Sequence, residues 1–491
     1  MIGEVPCVEA HGTIPFRRVP FSSILGPKPD LQRMKTKAAK IQKPTQKNKK
    51  IRVDDYWEKI NPDAAGIDIG ARENYVCVPA DRDARSIQRF GTTTPELETM
   101  AQWLEKCGIK TVALEATGIY WIAAFQLLEK KGFQVVLVNP RQVKNVTGRK
   151  SDVQDCQWIQ KLHTFGLLGA SFRPADCYCV MRSYMRVRDD LVANRSTQIQ
   201  LMQKALHQMN VQLCHVLSDI SGESGMAIIT AILAGERNPV ALAGLANRRV
   251  RSSKERIAQA LVGDYRPEHL FALQTAYDLY LAYQGKIDQC DQCLSQELER
   301  LPERVDLAVR PLSPASETKQ INEELRAGLY RKLGVDLTAI EGIGTTVGLT
   351  MLTEVGPDLN AFRTEKHFCS WLGLCPDNRI SGGKILNTHT RRVVNRLADA
   401  LRIAATTLQR SQSALGAFHR RMKARLGAAE AVTATAHKLA RLIYRLIKHG
   451  EAYVREGIEQ YEKRNQQYKL QAVRKMAESL GLKLIEPIPV S

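Results

Sequence analysis

Apolar positions follow three different rhythms along the chain. Between residues 64 and 162 short apolar runs alternate with helical spacings. The run Ala64-Ala65-Gly66-Ile67-Asp68-Ile69-Gly70 predicts a buried strand that ends in a carboxylate, and residues 74–79 and 86–90 predict two further strands joined by short turns. A helix over 95–107 follows, with Leu97, Met100, Ala101 and Leu104 on one face. Then come a strand at 110–116, a helix over 118–131, a strand at 134–139, and a helix opened by Ser151 that runs through Asp155, Trp158, Ile159 and Leu162. Three strands followed by alternating helix and strand predict an α/β domain, a mixed sheet covered by helices.

From about residue 178 to 332 the rhythm changes to long helical stretches rich in Gln, Leu and Arg, such as 185–217 and 267–301. These suit a coiled-coil-like arm for dimerisation, although the broken heptads set no register. Pro311, Pro314 and nearby Ser and Thr mark a hinge over 310–317. The third rhythm starts near Leu337. Leu337-x-x-Ile340-x-Gly342-Ile343-Gly344 has the two-glycine turn between short helices with which helix-hairpin-helix modules offer backbone N–H groups to a phosphate, and a packing turn is its plain alternative. Beyond it lie Phe368-Cys369-Ser370-Trp371-Leu372-Gly373-Leu374, then Arg379-Ile380-Ser381-Gly382-Gly383-Lys384, then basic helices with Arg391, Arg392, Arg396, Arg402, Arg420, Arg421, Arg441 and Arg445. The chain therefore divides into a basic arm (1–60), an α/β domain (61–178), a helical region (179–332), a mainly α C-terminal domain (333–455) and a polar, helix-prone tail (456–491).

Charge narrows the partners. The 491 residues carry 71 Lys and Arg against 51 Asp and Glu, a net charge of +20, which points to a polyanion and to nucleic acid before an acidic membrane. Residues 28–52 hold many of those cations, almost no acids and few apolar side chains, so this arm cannot bury enough surface to fold alone. Uninterrupted apolar windows of membrane-spanning length and a signal-peptide core are both missing, so a cytoplasmic, nucleoid-associated protein is expected. The 11 cysteines are scattered, and Cys290-x-x-Cys293 lacks the second pair that a zinc site needs.

Four acids fall at the ends of predicted elements in the α/β domain. Asp68 lies on the first strand, Glu115 closes the fourth, and Asp152 and Asp155 share one face at the start of a helix. Hard divalent cations want carboxylate oxygens, and a pair of ions needs several carboxylates to flank it. Singly, each acid has a structural alternative: a helix-start charge, a cap, a strand-end turn. Gly66-Ile67-Asp68-Ile69-Gly70 also matches the first phosphate loop of actin-like ATPases, but the second phosphate loop which that reading requires is not found and no nucleotide cofactor is expected.

Taken together, Gly-Ile-Asp-Ile-Gly at 66–70, Leu-Glu-Ala-Thr-Gly at 114–118, Val-Asn-Pro at 138–140, Arg-Lys-Ser-Asp-Val-Gln-Asp at 149–155 and the Ile-Glu-Gly-Ile-Gly, Trp-Leu-Gly-Leu and Ser-Gly-Gly-Lys blocks within 340–384 resemble the insertion sequence 110 family of transposases. The resemblance covers roughly 63–180 and 335–450, and leaves the basic arm and residues 220–330 unassigned. It implies a RuvC-like domain of RNase H fold with an Asp-Glu-Asp-Asp metal tetrad, matched here by Asp68, Glu115, Asp152 and Asp155, and Mg²⁺, as two ions, as the cofactor. It also implies a second domain with a serine nucleophile, donor and target DNA as substrates, and a structured non-coding guide RNA.

Ser381 matches the family's small-residue motif. Gly382 and Gly383 would let backbone approach a phosphate, and Arg379 and Lys384 could neutralise its oxygens. Ser370, inside an apolar run, reads as a helix-packing residue, and an ordinary hairpin turn is the alternative for Ser381. Serine and tetrad lie far apart in sequence, so a composite site is expected, in cis or in trans, with a homodimer assembling to a tetramer. Two other readings stay open: a metal-dependent nuclease with water as nucleophile, and a nucleic-acid-binding scaffold whose acids are structural.

Overall fold

The computed structural model describes residues 58–143, 151–314, 322–387, 389–391 and 393–482. The basic arm expected over 28–52, Arg392 and the end of the expected hinge lie outside them.

The first unit is built on strands β1 (Ala64–Ile69), β2 (Glu73–Cys77) and β3 (Ile87–Gly91), helix α1 (Thr94–Lys106), β4 (Thr111–Glu115), α2 (Trp121–Lys130), β5 (Gln134–Val138), α3 (Pro140–Val143) and α4 (Asp152–Thr164). Its sheet has the order β3-β2-β1-β4-β5. The first three strands pair antiparallel, whereas β1, β4 and β5 are parallel. The parallel centre is covered on both faces, which is why β1 and β4 are almost wholly buried. Thr93 caps α1, donating its hydroxyl to the Glu96 carboxylate at 2.6 Å, and the expected face of Leu97, Met100, Ala101 and Leu104 is buried. Helix α2 starts three residues later than the pattern suggests. Gly118, at φ 54°, closes a turn in which Tyr120 N donates to Thr117 O at 3.3 Å, so residues 118–120 precede the helix.

The rest is mostly helical. Helix α5 (Asp176–Gln208) leads into α6 (Leu213–Val216), α7 (Glu223–Leu233), α8 (Pro239–Gly244) and α9 (Lys254–Ala260), and α10 (Pro267–Arg300) returns. The helix expected over 185–217 stops at Gln208 because Asn210 takes the left-handed conformation, φ 55°, and Val211 N folds back onto Leu206 O at 2.9 Å. Arg188 bonds Asp291 and Arg195 bonds Gln284, so α5 and α10 run antiparallel. At about 1.5 Å per residue the arm they form is about 50 Å long. Its tip has a core of its own, in which Met202, Leu206, Ile228, Ile232, Leu242 and Leu273 meet.

The C-terminal core takes residues from α5, α10, α11 (Glu323–Leu333), α12 (Thr345–Glu354), α13 (Glu365–Trp371), and, after the hairpin β6 (Arg379–Ser381) and β7 (Lys384–Asn387), α14 (Arg396–Thr407), α15 (Ala414–Leu426) and α16 (Ala428–His449). Met181 and Met185 of α5 thus share one core with Leu352, Leu401 and Ile443. Helix α17 (Glu451–Ser479) follows. The segment between α4 and α5 ties the two units together: Ala170 bridges Val138 of β5, and the Phe172 ring lies 4.9 Å from Phe362 and 5.3 Å from Trp371. No described helix is long and apolar enough to cross a membrane.

Two buried histidines make stability pH-dependent. His163 Nε2 lies 2.8 Å from the Thr111 hydroxyl, and burial holds its pKa below the ordinary 6.5; His419 is lowered by burial first, then by Lys423 and Arg420. Below pH 6.5 the unfolded chain takes up protons that the folded chain refuses, so stability is lost as pH falls from about 6.5 through the folded values. The melting temperature is expected to decline between pH 6.5 and 5, and the decline to shrink in His163→Gln. A flat profile would refute the assignment.

Candidate active site

Three contacts fix the helix that carries two of the acids. A Cβ built on Gly66 would lie 2.2 Å from Gln160 N and 2.6 Å from Cys156 O, the Gln160 side chain donates to Ala64 O at 3.4 Å, and Asn61 N donates to Thr164 O at 2.9 Å. As the strand number falls the helix number rises, so α4 lies antiparallel across β1. Its first turn, with Asp152 and Asp155, consequently sits at the carboxyl end of β1. Ser151 caps that turn, its side chain accepting from Gln154 N at 3.4 Å.

Asp68 is two residues beyond Gly66 and therefore faces the same helix. Continuing the register Ile67 opposite Leu114 sets Glu115 beside Asp68 on the adjacent parallel strand, about 4.8 Å away in the backbone. Ala113 packs with Ile159 of α4, so Glu115, two residues on, faces α4 as well. Asp68 is half-buried, Glu115 is 7% exposed, and Asp152 is exposed. The Thr117 hydroxyl donates to Glu115 Oε1 at 3.2 Å. Hydrogen bonding with Cys77, then burial and the charges of Cys77 and Asp68, push the Cys156 thiol up.

The carboxyl ends of β1 and β4 and the first turn of α4, which carry the four sequence-selected carboxylates, thus lie at one end of the sheet. Among the described residues no three His, Cys, Asp or Glu side chains are gathered closely enough to hold a metal ion, so they share an edge rather than form a closed cage. The donor set itself, carboxylate oxygens at strand ends and a helix start, suits a hard divalent cation.

Ser381 belongs elsewhere. It ends β6 opposite Lys384, and Gly382 and Gly383 between them have φ of 55° and 77°, the two positive values of a tight hairpin turn. A Cβ on either glycine would meet nothing within 4 Å, and Ser381 and Lys384 are exposed. The hairpin forms a sheet of its own, with Ile380 and Leu386 exposed at 63% and 68%. Arg379 opens β6. Ser370 departs from the expected packing role: it is exposed, because the short helix α13 buries only Phe368 and Cys369. Its carbonyl accepts from Arg391 at 2.5 Å.

The two-glycine turn packs closely at its first glycine. Gly342 is left-handed, φ 83°, and a Cβ there would lie 3.1 Å from Leu408 Cγ and 3.3 Å from Ala404 O, so close packing requires it. Gly344 starts α12 with open space around it. Several cations of the basic helices have internal partners. Arg441 and Arg445 both grip Glu365, Arg402 pairs with Asp399 at 2.6 Å, Arg396 with Asp189, and Arg420 donates to the carbonyls of Gln409 and Ser411. Sequence reasoning passed over Thr117, whose signal is a hydroxyl two residues after a strand-end acid, and the demand that α4 makes on Gly66.

Comparison with known proteins finds matches in two parts of the chain. A transposase family model of the DEDD type from insertion sequence 110 elements matches residues 65–211, and the model described as "Transposase IS116/IS110/IS902 family" matches residues 336–420. A protein of Sinorhizobium fredii (strain NBRC 101917 / NGR234) named as a transposase, y4pF/y4sB, is 26% identical over 371 residues, 72% of this chain and 77% of the relative. The chain is a DNA transposase, an enzyme that recombines DNA by phosphoryl transfer. It belongs to the insertion sequence 110 family. The mixed five-stranded sheet with flanking helices, followed by a mostly helical part, is compatible with an RNase H-like DEDD domain.

Proposed function

We propose that this transposase cuts DNA through a covalent serine–phosphate ester on Ser381, assisted by the carboxylates Asp68, Glu115, Asp152 and Asp155, and that a structured guide RNA directs it to donor and target DNA. The reading is supported by the placement of β1, β4 and α4, whose acid-bearing ends lie at the same end of the sheet. Magnesium held there, as two ions, would lower the cost of an alkoxide and of a departing 3′ oxygen. Ser381 Oγ forms the bond to phosphorus while the bond to the 3′ oxygen breaks, and the proton lost by serine is matched by the one the 3′ hydroxyl gains. The ester keeps the phosphodiester energy, so a 3′ hydroxyl can later reverse the step without ATP. The Gly382-Gly383 turn leaves the backbone beside Ser381 open to a strand, and Lys384 supplies a cation opposite it. Because hairpin and carboxylate edge belong to separate sheets, the site is composite, which suits a dimer assembling to a tetramer on two duplexes. The RuvC-like unit, the helical arm, the C-terminal serine unit and a cytoplasmic, nucleoid-associated setting follow from the same reading.

Trapping decides it. A nicked or mismatched substrate that holds the cleaved state, followed by denaturing gel and peptide mass spectrometry, is expected to give a DNA adduct on Ser381, and Ser381→Ala to give none. The exposure of Ser370 makes it the competitor. An adduct on Ser370, or an active Ser381→Ala enzyme, overturns the assignment, and free 5′ phosphates with no adduct favour water as nucleophile.

A further inference from the structure

The turn between β4 and α2 exposes an apolar surface beside the carboxylate edge that the cleavage reading does not use. Ile119 is 74% exposed, Tyr120 51% and Ile122 40%, three large apolar residues within four positions. Single exposed apolar residues are ordinary, whereas a contiguous set on a fixed turn marks a contact surface. The turn is fixed from both sides. Trp121 donates its indole N–H to Gly118 O at 3.1 Å and meets Phe125 edge-on at 5.6 Å, so it anchors the loop. Gly118 has a positive φ of 54°, and a Cβ built on it would sit 3.6 Å from both Cδ2 and Cε2 of Tyr120. The tyrosine ring therefore lies against glycine, which props it while half the residue stays open to solvent. Thr117, at the root of the same turn, holds Glu115 Oε1 at 3.2 Å.

We infer that Tyr120 is a stacking platform for the unpaired DNA base next to the cleaved phosphate, with Ile119 as an apolar wedge beside it. The inference rests on the reading of the carboxylate edge as the cleavage site. A strand whose phosphate lies at Glu115 carries its next base only about 3.4 Å further along its axis, within reach of this turn. Strand exchange takes bases out of their duplex, and an unstacked base finds a replacement neighbour on an aromatic face. Apolar side chains inserted beside a base step serve the same end in other DNA-binding proteins. The chain's +20 charge favours a nucleic-acid occupant over an acid-free protein surface.

The test uses the full-length protein and DNA carrying 2-aminopurine at successive positions around the cleavage site, in Ca²⁺ so that binding is read without turnover. Wild type is expected to change the probe's fluorescence at one or two positions beside the scissile phosphate. Tyr120→Ala is expected to abolish that change and to weaken binding about 5- to 150-fold, the range of one base–aromatic stack. Tyr120→Phe and Tyr120→Trp should keep both. Tyr120 is exposed, so the variants are expected to melt with wild type. If Glu115→Gln stops cleavage in Mg²⁺ while Tyr120→Ala keeps the fluorescence change and the affinity, the platform is overturned and the cleavage site stands. If Glu115→Gln cleaves normally, the cleavage site itself is wrong. A Tyr120→Ala variant that changes only the oligomeric state shows that a second copy covers the turn, which also overturns the inference.

Discussion

Asp68→Asn, Glu115→Gln and Asp155→Asn are each expected to lower DNA cleavage by about three orders of magnitude or more. Each replaces one anionic oxygen at a position where, on the proposed reading, a divalent ion would contribute several kcal/mol to the transition state, and 1.36 kcal/mol is tenfold in rate. Folding should persist, since an amide fills the space of a carboxyl group and the affected charges lie at element ends. The two measurements to compare are cleavage in Mg²⁺ and the rise in melting temperature on adding Mn²⁺ or Mg²⁺. In a metal site both fall together, whereas acids that merely cap elements would lower the melting temperature without metal. Asp152→Asn separates the two most sharply: as a helix-start charge it would cost only about 0.3–1 kcal/mol of stability. Near-native cleavage by any two of the four variants would rule out the metal role.

Gly66→Ala is expected to destabilise the first unit by about 3 kcal/mol, the upper end of overpacking costs. The added methyl would come within 2.2 Å of Gln160 N and 2.6 Å of Cys156 O, and both are backbone atoms that cannot rotate away. Helix α4 would have to lift off β1, carrying Asp152 and Asp155 from the sheet edge, so cleavage should fall with stability. Gly285→Ala is the control. Gly285 lies within α10 with nothing inside 4 Å of its Cβ position, and alanine there is expected to be neutral or slightly stabilising. Thermal melting of the two variants checks the contrast, and a Gly66→Ala protein as stable as wild type would show that α4 tolerates displacement.

Where local chemistry decides, the sequence alone located the elements closely. Pro267 opens α10 and a long amphipathic pattern carries it to Arg300, one residue short of the expected end. Ser151 caps α4 as expected, and the Gly382-Gly383 pair turns a hairpin. What escaped depends on partners distant in the chain. Arg441 and Arg445 look like a basic surface until Glu365, some 80 residues earlier, folds between them. Ser370 sits in an apolar run, yet the one-sided burial of a seven-residue helix exposes it. The four acids could be selected one by one, but that Asp152 and Asp155 lie at the same end of the sheet as Asp68 and Glu115 depends on the antiparallel course of α4, which packs on the bare backbone of Gly66 and is invisible to periodicity.

The sharing of one core by Met181 and Leu446 has a consequence for how the chain comes off the ribosome. At about 5–20 residues per second, α16 emerges on the order of tens of seconds after the base of α5. The arm's tip, whose core lies within residues 202–276, can close during that interval and hold α5 against α10. The base cannot. Its methionines wait for α12, α14 and α16, so a nascent or truncated chain presents a finished tip above an open apolar base, a surface that a chaperone or a neighbouring nascent chain would fill first.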